Sequence, residues 1–249
     1  MKSLLIGHRG EPEYYPENSL AGFRAVLDAS ARYIETDVQI TADGIPILSH
    51  DPTLLKITGH ELVITETDYQ TLRELPAGYD SRFGERFRDL RIARLDEFAA
   101  LLHQYPQARA FVEVKHASIK AHGAARVIDL TLEALDDSLS QCIIISFEHE
   151  ALVHVREITS LPIGWVLPEW SVDSRVLATE LGPEYLFCNR KRLPSDTEPL
   201  WPGPWQWVVY TVNTADEVQA FRSRGVDLLE TNVITRLLAD GTLGNVDHG

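Results

Sequence analysis

Cysteine is scarce in this chain: only Cys142 and Cys188 occur among 249 residues, each inside an apolar run. Two such thiols, with no CxxC and no Cys/His zinc spacing, exclude a disulfide scaffold or a zinc module and suit buried thiols in a reducing compartment. Basic residues are in deficit as well, 23 Lys and Arg against 37 Asp and Glu, for a formal net charge of −14. That balance argues against a nucleic-acid partner, and an anionic substrate would need local positive charge or a metal. No apolar run approaches the ~18 residues of a membrane span, and the apolar part of residues 1–8 is too short for a secretory leader. The expectation is a cytoplasmic protein without a stable membrane anchor. No linker or low-complexity segment interrupts the sequence, so a single domain over 1–249 is expected, with oligomerisation left open.

What the chain does have is alternation. Short apolar strands are expected at 3–8, 33–40, 110–115, 142–147, 162–167, 185–189, 206–212 and 226–231, nearly all followed by segments of helical periodicity. Pro16-Glu-Asn-Ser19 opens the first helix, where Asn18 or Ser19 can cap it. Eight βα units in this length are what a (β/α)8 TIM barrel needs. A doubly wound open sheet shares the alternation, but no glycine fingerprint follows the first strand. Residues 51–94 break the rhythm with an Arg-rich piece and a short helix near 66–75, a small insertion after the second strand. Its apolar content is too low to predict a core of its own. The stretch Trp201-Pro-Gly-Pro-Trp-Gln-Trp207 is open to lining the pocket, covering the barrel or making a dimer contact, buried packing being the commoner outcome for such residues.

The densest stretch for chemistry is 33–51. Glu35 and Asp37, two apart on a strand, project to one side within a run apolar enough to be buried. Two like charges held there are costly unless a cation or a proton intervenes. In a barrel the site lies at the C-terminal strand ends. Those ends carry His8-Arg9, Glu35 and Asp37 with His50-Asp51 beyond, Glu113 and Lys115, Ser146-Phe147, Tyr210 and Asn213, and Glu230. Taken singly, His8 reads as a hydrogen-bonded loop residue, His50-Asp51 as a turn pair, and Glu113-x-Lys115 as a same-face salt bridge. Converging on the first three strands, the set is hard to explain as packing. The remaining histidines read as solvated.

Taken in order, His8-Arg-Gly, Pro16-Glu-Asn-Ser19, Glu35-x-Asp37, Thr41-x-Asp-Gly44, His50-Asp51 and Thr58-Gly59 resemble the blocks of glycerophosphodiester phosphodiesterases. Leu95-Asp-Glu-Phe, Glu113-x-Lys115, Ser146-Phe147, Thr211-Val-Asn213 and Gly225-Val-Asp227 continue the match over nearly the whole chain. The resemblance implies a TIM barrel with a small insertion. It implies a divalent cation, Mg²⁺ or Ca²⁺, on Glu35, Asp37 and Glu113, an acid/base pair in His8 and His50, and phosphate binding by Arg9 and Lys115. The implied substrate is a small-molecule phosphodiester, cleaved to glycerol 3-phosphate and an alcohol by water or by the glycerol's own hydroxyl. A lysophospholipid-cleaving or cyclising relative of the same fold, and a non-catalytic barrel, are the alternatives. All-oxygen ligands independently favour a hard cation, and histidine titrates where acid and base must act. The chain departs from the family pattern at Tyr210, where a tryptophan is usual and the substrate wall changes. It departs again at Thr231-Asn232, which replaces a Thr-Asp pair, with Glu230 as an added acid.

Overall fold

Strands whose two faces are both apolar can be satisfied only between a filled lumen and an outer layer of helices, and this chain adopts that arrangement. The computed structural model describes residues 4–195, 198–240 and 243. The strand expected from residue 3 therefore starts one position outside that set, and His248 also lies outside it. The strands are β1 (Leu5–His8), β2 (Tyr33–Ile40), β3 (Pro46–Leu48), β4 (Arg109–Val114), β5 (Cys142–Ser146), β6 (Ile163–Val166), β7 (Tyr185–Asn189), β8 (Gln206–Tyr210) and β9 (Leu228–Thr231). Eight of them pair in parallel in the order β1-β9-β8-β7-β6-β5-β4-β2, and the β1–β2 pairing closes the barrel. β3 turns back antiparallel on the outer half of β2, as the Ala42-Asp-Gly44 turn requires.

The pleat sorts the residues of each strand. On β2, Ile34, Val38 and Ile40 face the helices and join the outer core, while Glu35 and Asp37 are left for the lumen. Ile6, Phe111, Ile143, Val166, Phe187, Val208 and Leu228 fill that lumen from below. In the helical layer, Ser19 accepts from the Gly22 N–H and caps Leu20–Asp28. Phe23 of that helix meets Phe98 of Leu95–His103 edge-on at 4.8 Å. The single helix expected over 119–136 is two, His116–His122 and Ala124–Leu135, separated at Gly123, whose φ of 84° no helix accommodates.

Among the described residues no helix links β7 to β8. The Trp-rich stretch covers the wall there instead. Trp205 and Trp207 are buried, Trp170 stacks on Trp201 at 4.0 Å, and the Trp207 indole N–H donates to the Trp201 carbonyl at 3.1 Å. Of the three placements open to it from sequence, this is the barrel cover.

Residues 51–94 correct a second expectation. They do carry a small core, in which Leu54, Ile64, Leu72, Ala77 and Ile92 close over Ile47 of β3. The apolar residues are too widely spaced to show a period, and they converge because short turns at Leu55–Thr58, Ile64–Glu66 and Tyr69–Leu72 fold them onto the hairpin. The other histidines are not uniformly solvated either: the half-buried His154 pairs with Asp129 at 3.1 Å, and the Nε2 atoms of His122 and His149 are buried.

If the tryptophans replace a helix, Trp207→Ala should cost about 3–5 kcal/mol, the usual range for emptying a buried aromatic site. Trp170→Ala, half-exposed, should cost distinctly less. Urea denaturation of both variants checks this, and equal or negligible losses would contradict the covering role.

Candidate active site

Two strand ends build the acidic side of the site. Asp37 and Glu113 are registered partners on β2 and β4, so their side chains enter the lumen side by side, with Glu35 one pleat earlier. Glu35, Asp37 and Glu113 offer carboxylate oxygens within 4.8 Å of one another. Two cations enter this group. Lys115, two residues beyond Glu113, places Nζ 2.7 Å from Glu113 Oε1 and 3.1 Å from Asp37 Oδ1. Arg9 holds a left-handed φ of 53° directly after β1. From there its backbone N–H donates to Glu35 Oε2 at 3.0 Å, and its Nε lies 3.1 Å from Asp37 Oδ2. A non-glycine residue in that conformation costs of order 1 kcal/mol, and here it lets one residue hydrogen-bond Glu35 through its backbone and set its charge beside Asp37.

Asn18, also left-handed at φ 56°, completes the support of Asp37. Its amide donates to Asp37 Oδ2 at 2.9 Å, and its carbonyl oxygen accepts from the Asp37 N–H and the Thr36 hydroxyl. Of the two candidate caps, Ser19 does the capping and Asn18 serves the site.

These neighbours decide the charges. Burial disfavours ionised Asp37, but Lys115, Arg9, His50 and the Asn18 hydrogen bond together hold its pKa well below the carboxylate range. Glu35 goes the other way: burial, then Asp37 and Glu230, push it well up. Burial also raises Glu113, with Lys115 opposing. For Lys115, burial is outweighed by Asp37 and Glu113, and the ammonium is held firmly charged. Glu35 Oε1 is a buried oxygen without a partner. Three carboxylates, one with an orphaned oxygen, fit a hard divalent cation bound through oxygen.

The histidines are each fixed by one ring nitrogen. His8 Nδ1–H donates to Asn232 Oδ1 at 2.7 Å, leaving Nε2 unprotonated, 4.0 Å from Glu35 Oε2. Asn232 is itself held by its N–H donating to Asn213 Oδ1 at 3.0 Å. Burial, then the Arg9 charge, push the His8 pKa down to about 3, so the ring is neutral. His50, just past β3, is bonded through Nδ1 to Asp51 Oδ1 at 2.8 Å.

A cavity of about 340 Å³ joins these parts at the C-terminal mouth of the barrel. His8, Arg9, Glu35, His50, Glu113, Lys115 and Tyr210 all line it, and Asp37 lies fully buried behind them. The far wall is Ile145, Phe147, Val166 and Phe187, with Asn189 and Arg192 at its edge. The structure thus gathers His8, Arg9, Glu35, Asp37, His50, Glu113, Lys115 and Tyr210 at one mouth, while Ser146 is buried outside the lining, its hydroxyl donating to the Val114 carbonyl at 3.0 Å. Asp51 and Asn213 serve as supports, joined by Asn18, Asn232 and Glu17, which pairs with Arg9 at 3.6 Å and Lys56 at 2.6 Å. The fold also moves Glu230 from the margin to the lining. Among the described residues no helix is long and apolar enough to cross a membrane.

The closed eight-stranded parallel barrel, with carboxylates, histidines and two cations gathered at its C-terminal mouth, defines a TIM-barrel protein with its polar site where such barrels carry theirs. The model of the glycerophosphoryl diester phosphodiesterase family matches residues 8–236, and the chain belongs to that family. It is 27% identical to a glycerophosphodiester phosphodiesterase of Caldanaerobacter subterraneus, over 93% of this chain and 95% of that one. Its fold is similar to that of an Oleispira antarctica phosphodiesterase solved in complex with the product sn-glycerol-3-phosphate. That likeness has a TM-score of 0.82 at 21% identity and covers 94% of both chains. A glycerophosphodiester phosphodiesterase from Agrobacterium tumefaciens superposes with a TM-score of 0.74 at 21% identity, over 96% of this chain and all of that one.

The buried groups make metal-free stability depend on pH from both sides. Below pH 6.5 an unfolded His8 takes up a proton that the folded one, at about 3, refuses, so stability falls as pH drops through that window. Glu230, raised by burial and then by Glu113 to about 8, keeps a proton that the unfolded chain loses above 4.5, so stability falls as pH rises through 4.5–8. In chelator, thermal midpoints should therefore decline on both flanks. His8→Gln should flatten the acid limb and Glu230→Gln the alkaline one, and unchanged profiles would refute the assignment.

Proposed function

We propose that this chain hydrolyses glycerophosphodiesters to glycerol 3-phosphate and an alcohol, with His8 and His50 as the acid/base pair. The observation that carries this reading is the shared cavity in which two singly anchored histidines face a carboxylate triad and two half-buried cations. The family membership, and the product seen in the Oleispira antarctica relative, support the substrate class.

Glu35, Asp37 and Glu113 would hold the cation, Mg²⁺ or Ca²⁺ by the hardness of their oxygens. When bound, it supplies Lewis-acid neutralisation of phosphoryl charge. Arg9 and Lys115 border the same space and receive the nonbridging oxygens, on which negative charge grows in the transition state. His8 is the base. Its neutral state and its committed Nδ1–H leave one lone pair, on Nε2, to take the proton of the attacking hydroxyl. His50 is the acid that protonates the departing alkoxide. Asp51 orients its ring through Nδ1, and no protein group among the described residues engages Nε2.

On glycerophosphocholine, His8→Ala and His50→Ala should each lose about 10²–10⁴-fold in kcat, the range for a general acid or base. With bis(p-nitrophenyl) phosphate, whose leaving group needs no proton, His50→Ala should recover most of its turnover while His8→Ala stays impaired. Recovery of the opposite variant would reverse the roles. Full wild-type activity in excess EDTA would remove the metal.

A further inference from the structure

Glu230 is the one carboxylate in the cavity that the proposed chemistry does not use. It is 3% exposed and lines the cavity, and among the described residues its side chain makes no hydrogen bond or ion pair. A carboxyl set in the wall of a cavity with no protein partner marks a place where a ligand supplies the hydrogen bonds. Its position is set by register. Glu230 on β9 is the partner of Ile6, two residues below His8 on β1, and β9 lies between β1 and β8, which bears Tyr210. Glu230 thus lies at the floor of the cavity, beneath the proposed base.

We infer that Glu230 is a specificity-determining residue that hydrogen-bonds the free hydroxyls of the substrate's glycerol moiety. The inference rests on the phosphodiesterase reading above and extends it to the part of the substrate that stays constant. Burial and the neighbouring Glu113 keep a proton on Glu230, so its carboxyl offers both an acceptor and a donor, which suits hydroxyl groups. Arg9, Lys115 and Arg192 line the same cavity and disfavour a cationic group there. The floor is the closed end, suited to the small invariant fragment, whereas a variable alcohol needs the open mouth. Two adjacent hydroxyls match the two oxygens of one carboxyl group.

The test compares two ligands that differ only in the diol. Metal-loaded wild type, Glu230→Gln and Glu230→Leu are titrated calorimetrically with sn-glycerol 3-phosphate and with methyl phosphate, after thermal melts confirm folding. Wild type should prefer glycerol 3-phosphate. The variants should lose ~10–100-fold of that preference, the range for unmaking the paired hydrogen bonds of one substrate fragment in a closed site. The ratio of kcat/KM for glycerophosphocholine over bis(p-nitrophenyl) phosphate should fall in parallel. An unchanged preference, or equal weakening of both phosphates, would overturn the inference, the latter placing Glu230 on the phosphate or metal. A loss confined to choline and ethanolamine esters, with glycerophosphoglycerol spared, would overturn it by assigning Glu230 to the alcohol. Glu230-dependent binding of glycerol 3-phosphate in a protein that turns over no glycerophosphodiester would sink the parent reading alone. Turnover that ignores Glu230 would sink only this one.

Discussion

The rest of the molecule answers to one constraint, the cost of holding Glu35, Asp37 and Glu113 out of water within a few ångströms of each other. An isolated buried carboxylate is expensive, and three together add mutual repulsion. The protein meets this cost unevenly. Asp37 receives a lysine, an arginine and an asparagine and stays charged. Glu35 has one backbone donor and keeps an oxygen without a partner. The asymmetry separates a structural carboxylate, which anchors the cluster, from one left open to a ligand. It also accounts for the two left-handed residues, Arg9 and Asn18, whose strained backbones deliver donors to Asp37 from the β1 loop.

The barrel supplies what such a cluster needs. Parallel register sets Asp37 beside Glu113 by default, and closure by the β1–β2 pairing brings His8 level with Glu35. The apolar lumen beneath excludes water and strengthens every interaction above it. The scaffold is also tolerant away from the mouth. Where a helix is missing, stacked tryptophans bury the same strand faces, and the insertion closes its own small core over β3 without intruding on the barrel.

Much of this was legible in the residues. Period-two alternation at β2 identified the inward carboxylates, and each strand end named from sequence reaches the mouth of the barrel. What escaped notice depends on contacts between distant positions. Asn18 looks like a helix cap because its sequence context is that of a cap, and only the folded loop turns its amide toward Asp37. Asn232 reads as a neutral substitution until closure brings it to His8. The core of the insertion was missed because its apolar residues follow turns rather than a period. Glu230 was noticed as an acid, but its burial and lack of partners are properties of the packed lumen, invisible in a string of letters.

The hydrogen bond between His8 and Asn232 spans 224 positions and joins the first barrel strand to the end of the last. The ring anchor of the proposed base therefore exists only where β9 lies beside β1, and it depends on the same contact that seals that side of the barrel. A chain cut before β9 would keep Glu35, Asp37 and Glu113 and lose the partner of His8.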